Sequence, residues 1–109
     1  MADELNVYGE SAGSLAGAVI GNCTALCPAD HEYLLTKAQC TMEGIGYAYI
    51  QVGAVNRYAF YFWGAGAQSE DNLTMRIIAA ETVRGWVVQA GGVQVTRMAL
   101  TGYDMLTAM

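Results

Sequence analysis

A chain of 109 residues that is 54% hydrophobic and only 14% charged is expected to form one domain and to leave apolar surface for an interface. Ten carboxylates against five Lys and Arg give a net charge of −5, the wrong sign for a phosphate-backbone or anionic-membrane binder, so no nucleic-acid partner is expected. There is no uninterrupted apolar run of about twenty residues, so no membrane-spanning helix is expected either.

In chain order, Met1-Ala2-Asp3-Glu4-Leu5 has neither the basic start nor the apolar stretch of a secretory signal, and the expected location is the cytoplasm. Residues 1–10 read as an amino-terminal arm, in which Leu5-Asn6-Val7-Tyr8 could add a short edge strand. Residues 11–109 then form a single α+β domain. From about 12 to 27 the apolar residues Ala12, Leu15, Ala16, Val19, Ile20, Cys23, Leu26 and Cys27 fall at helical spacing, with Ser11 as cap and Pro28 as stop. Gly13, Gly17 and Gly21 recur every four residues and would let another backbone approach this helix closely. The alternative is that the Gly-Ala-rich stretch 12–22 is a strand or irregular.

Pro28 to Glu32 resembles a helix start, whereas Leu34, Thr36, Ala38, Cys40 and Met42 alternate as a strand does, so a short helical turn followed by a strand is expected. Residues 46–52 and 57–63 are two aromatic, β-branched runs joined by Gly53-Ala54-Val55-Asn56, the pattern of a hairpin. Ser69 before Glu70, Asp71 and Asn72 marks the start of a second helix over about 70–90. That helix would run through Leu73, Ile77, Ala80, Val83 and Val87 to Gly91-Gly92, although Trp86-Val87-Val88 also admits a strand. A final strand follows around Val93 to Met98, and the tail from Gly102 is apolar enough to dock. The expected fold is thus a small antiparallel sheet centred on the hairpin and packed against two helices. A ferredoxin-like order is one option if residues 12–22 form a strand.

Candidate chemistry is sparse. Cys23, Cys27, Cys40 and His31 are four zinc-ligand types, but they lack paired knuckles, and free cysteine is usually a buried thiol. His31, the only histidine, could pair with a cysteine as a base, yet nothing else in the sequence assembles a nucleophilic site; a surface histidine is the stronger reading. Glu81 is expected to pair with Arg84. The run Arg57 to Phe62 is similar to the aromatic strand of RNA-recognition modules, but it lacks the glycine after the basic residue and sits in an acidic chain. Gly64-Ala65-Gly66-Ala67 lacks the lysine and hydroxyl of a phosphate loop. No catalytic residue, metal or cofactor is expected.

Burial remains as the guide. Along a strand, Tyr58, Phe60 and Phe62 point one way and Ala59, Tyr61 and Trp63 the other, while Tyr47 and Tyr49 oppose Ala48, Ile50 and Val52. Both faces of the hairpin are therefore apolar. Tyr47, Tyr49, Tyr58, Phe60, Tyr61, Phe62 and Trp63 are the candidate interface or ligand-facing residues. The function expected from them is that of a non-enzymatic, self-associating subunit of a homo-oligomer or larger, virion-type assembly, with itself or other assembly subunits as partners. The alternative is a binder or enzyme that holds a small apolar ligand in an aromatic pocket between sheet and helix.

Overall fold

The computed structural model describes residues 2–13, 19–89 and 94–106, and every regular element among them is a β-strand. In chain order these are β1 Ala2–Gly13, β2 Val19–Leu26, β3 His31–Met42, β4 Ile45–Val52, β5 Val55–Trp63, β6 Gly66–Glu70, β7 Met75–Ile77, β8 Thr82–Gln89 and β9 Gln94–Leu106. The expected α+β fold, with its ferredoxin-like option, is overturned: the described residues of both helical stretches lie in strands and turns. Within 12–27 they end β1 and form β2, within 70–89 they contain β7 and β8, and residues 14–18 and 90 lie outside the described residues.

The misreading has a physical cause. A spacing of four is one turn of helix but also two pleats of strand, so Val83 and Val87 satisfy both patterns. The odd spacings come from interruptions in the strands. A bulge between Gly21 and Cys23 shifts the phase of β2, leaving Val19 and Leu26 exposed and Cys23 buried. Ala80, read as part of a helical stripe, is a turn residue with φ 70°. Of the glycine stripe, Gly13 ends β1 and Gly21 lies in β2, whereas Gly17 lies outside the described residues, as do Gly91 and Gly92.

The pairing is nested. β1 pairs with β9, β2 with β8, β3 with β6 and β7, and β4 with β5, all antiparallel. Rolling up this ribbon adds two further pairings, β3 with β9 and β4 with β8. Two sheets result, one ordered β1-β9-β3-β6 with β7 also on β3, the other β2-β8-β4-β5. This strand order is that of a jelly-roll β-sandwich. The amino-terminal segment read as an arm is a 12-residue edge strand in register with β9 from Ala2 to Gly13.

Phe60, Ile50, Val87, Leu35, Ile77, Met98 and Leu100 are the large side chains at the centre of the sandwich, each no more than 2% exposed. At one end the apolar filling gives way to a polar layer that ties the sheets together. Asn22 donates from Nδ2 to Ser11 Oγ at 2.9 Å and to the Thr96 carbonyl at 3.0 Å, and Gln89 Nε2 donates to Thr96 Oγ1 at 3.1 Å. Asn22 is the extra residue of the β2 bulge, so the bulge aims an amide at the opposite sheet.

The hairpin is tighter than its sequence suggests. Val52 pairs with Val55, leaving Gly53-Ala54 as a two-residue turn with Gly53 at φ 60°, the positive value such turns need at their first position. Asn56 and Arg57 therefore belong to β5, where Arg57 is the extra residue opposite the Ile50–Gln51 step.

Candidate functional site

The sheet formed by β2, β8, β4 and β5 has an inner and an outer face, and the alternation of β4 and β5 sorts the aromatic residues between them. Phe60 and Phe62 are 2% and 4% exposed and are taken up by the core; they leave the candidate surface. Tyr58 is half-buried, its ring edge-on to Phe60 at 5.1 Å and its hydroxyl donating to Glu70 Oε2 at 3.4 Å. Tyr61 and Trp63 point outward at 61% and 88% exposure. On β4, Ile45 and Tyr47 are exposed and Tyr49 is half-buried.

Register places these outward residues in rows. Trp63 faces Ile45; Tyr61 faces Tyr47, which faces Val88, which faces Val19; Ala59 faces Tyr49, which faces Trp86. The rings support one another, with Tyr47 stacked on Tyr49 at 6.2 Å and tilted against Tyr61 at 5.9 Å. Trp86 is held in place because its Nε1 donates to Gln51 Oε1 at 3.1 Å. Between Ile45, Tyr47, Tyr61, Trp63 and Val88 lies an open apolar groove of about 390 Å³. Contiguous apolar surface of this kind marks an interaction site in soluble proteins. Trp86 and Val88 extend the site across the sheet. Their outward alternation along 82–89 is readable once that segment is treated as a strand.

The outer face of the other sheet differs in character. Tyr8, Gln39, Thr41 and Arg97 line a shallow depression of about 350 Å³, and Arg97 is paired with Glu10 at 2.9 Å.

The titratable candidates Cys27, His31 and Glu81 are neighbours through backbone contacts, the Cys27 N–H donating to the Glu81 carbonyl at 2.9 Å and the Cys27 Sγ to the His31 carbonyl at 3.4 Å. His31 opens β3, not a helix, and its Nδ1 lies 2.6 Å from Asp104 Oδ1. Glu81 does not pair with Arg84; its Oε1 accepts the Ile78 backbone N–H at 2.9 Å and caps the turn before β8. Gly64 and Ala65 carry the chain from β5 across to β6 in the other sheet, in place of a helix entrance. Among the described residues no group of three His, Cys, Asp or Glu side chains could hold a metal ion. None of the described residues forms a helix long and apolar enough to cross a membrane.

All three cysteines are free and buried. Burial pushes the Cys23 thiol up to about 11 and the Cys40 thiol up to about 12, and it also raises that of Cys27. The thiolate is the reactive form. Native protein is therefore expected to resist iodoacetamide at neutral pH while urea-unfolded protein takes up three labels, counted by intact mass; rapid native labelling would contradict the burial.

No family model matches the chain, and no curated protein matches its sequence. Solved structures do resemble it. A chain of the capsid asymmetric unit of cyanophage Pam1 is similar with a TM-score of 0.58 at 14% identity, over 94% of this chain and 85% of that one. At that identity the likeness establishes a shared fold. A family two carbohydrate esterase from Cellvibrio japonicus matches at a TM-score of 0.38 and 12% identity, over 100% of this chain and 37% of that one, and carries no argument.

Proposed function

We propose that this protein is a non-enzymatic, self-associating structural subunit of a larger, virion-type assembly formed in the cytoplasm, and that the outer face of the β2-β8-β4-β5 sheet is its contact surface. The observation that carries the proposal is the continuous row of exposed aromatic side chains ending at Trp63, which is 88% exposed. Leaving so much apolar surface in water is unfavourable by roughly 25 cal/mol per Å², and association removes that cost. Likeness of fold to a phage capsid chain supports the same reading.

In light scattering the wild-type chain is expected to run larger than a monomer. Trp63→Ser is expected to weaken association by about thirtyfold or more, the effect of losing a large aromatic anchor, and Tyr61→Ser to act in the same direction. A clean monomer at high concentration would sink the proposal.

A small apolar ligand is the second reading, favoured by the volume of the groove beside Tyr47 and Tyr61, which falls within the range of ligand pockets. Among the described residues there is no helix to bound the pocket expected between sheet and helix. Native mass spectrometry showing a co-purified ligand on an otherwise monomeric chain would favour this reading over self-association.

A further inference from the structure

We infer that two copies stack these sheet faces about a two-fold axis lying across the strands, with Arg57 of each copy over Trp63 of the other. This rests on the proposed self-association through that face and specifies its geometry.

The first observation is the distribution of charge. On a chain of net charge −5, strands β2, β8, β4 and β5 contain no Asp or Glu at all. Their two charged residues are Arg57 and Arg84, both exposed. The other basic residues have carboxylate partners, Lys37 with Asp71 at 3.5 Å, Arg97 with Glu10 at 2.9 Å, and Arg76 with Glu32. Arg57 and Arg84 have no ion pair or side-chain hydrogen bond among the described residues. They lie at one end of the face, on either side of Gln51, which pairs with Arg84 on β8 and Asn56 on β5.

The second observation is the placement of large and small residues. Arg57 and Trp63 share strand β5, six residues or about 20 Å apart, with Phe60 midway. A two-fold axis crossing β5 at the level of Phe60 exchanges the two ends of the face. It lays Ala59 against Tyr61 of the second copy, Val88 against Trp86, and Tyr47 against Tyr49. Small meets large at two positions and ring meets ring at the third, the complementarity that close face-to-face sheet packing requires. The exposed Trp63 ring then meets the Arg57 guanidinium, a favourable cation–aromatic pair once water is excluded. An axis running along the strands would instead gather the arginines of both copies at one end with no carboxylate between them.

The test is a double-mutant cycle on the dimer dissociation constant, measured by sedimentation equilibrium for wild type, Arg57→Ala, Trp63→Ala and the double variant. Both side chains are exposed, and circular dichroism checks that each variant is folded. Within one chain the two residues are too far apart to couple, so a non-additive cycle requires them to meet across the interface. Arg57→Ala is expected to weaken the dimer about tenfold, and the double variant to fall at least fivefold short of the product of the single effects. A wild-type oligomer with an additive cycle overturns the two-fold stacking alone. If salt also weakens that oligomer steeply, the arginines meet carboxylates of an acidic surface instead. A wild-type monomer overturns the underlying reading as well.

Discussion

Phe60→Ala is expected to lower the free energy of unfolding by about 3–5 kcal/mol, whereas Trp63→Ser, three residues along the same strand, is expected to change that of the isolated subunit by no more than about 0.5 kcal/mol. Phe60 is 2% exposed and packs its ring against Tyr58 at 5.1 Å, so truncation removes its buried area and leaves a cavity in the core. Interiors are close-packed and relax only partly around such a void. Trp63 contacts mainly solvent in the free subunit, so its removal touches the association equilibrium and not the core. Urea midpoints measured at a concentration below association separate the two effects, because the midpoint shifts with stability at constant slope. If Phe60→Ala were as mild as Trp63→Ser, the assignment of inner and outer faces on β5 would be wrong.

A second large effect is expected from adding one methyl group. Gly102 lies in β9, between β1 and β3, and a Cβ there would sit 1.9 Å from the Leu34 carbonyl oxygen and 2.8 Å from Leu35 Cα. Both are backbone atoms of the neighbouring strand and cannot rotate away. The approach is close where β3 shifts register between Leu35 and Lys37, and Thr36 turns its carbonyl to accept from the Leu73 N–H at 3.2 Å. Relieving the clash requires β3 and β9 to separate at the middle of their sheet. Gly102→Ala is expected to cost about 3 kcal/mol or more, at the upper end of overpacking effects, and to reduce soluble yield. Gly64→Ala is the control, since nothing lies within 4 Å of its added Cβ and its φ is not positive; it is expected to be near neutral. Equal thermal midpoints for the two variants would contradict the packing of β9 against β3.

The hairpin of β4 and β5 was legible because its signals are local. Alternation, aromatic and β-branched residues, and a glycine at the turn all act within some twenty residues. Its two faces followed from strand parity alone, which placed Tyr61 and Trp63 opposite Phe60 and Phe62. The segments 12–27 and 70–90 were illegible for the converse reason. Their strand phase is broken by the bulge at Asn22 and the turn at Ala80, and the shifted pattern imitates a helix. Trp86 and Val88 were missed as surface residues for the same reason, since a helix reading gives them no common face with Tyr47. Arg57 and Arg84 could be read as exposed cations, but only the register across β4 brings them to one end of one face.

By itself the sequence determined that this chain is rich in apolar residues and poor in charge, that its net charge is −5, and that one face of an aromatic hairpin must be core. These are sums and local periodicities, and no partner strand is needed to evaluate them. Tertiary structure decided the rest: that β1 closes on β9 across almost the whole chain, that described residues in both apparent helices form strands, and that the carboxylate-free aromatic face continues across four strands. The reason is that strand pairing is non-local. A strand is stabilised by neighbours dozens of residues away, so nothing within its own segment states which face, edge or partner it will have.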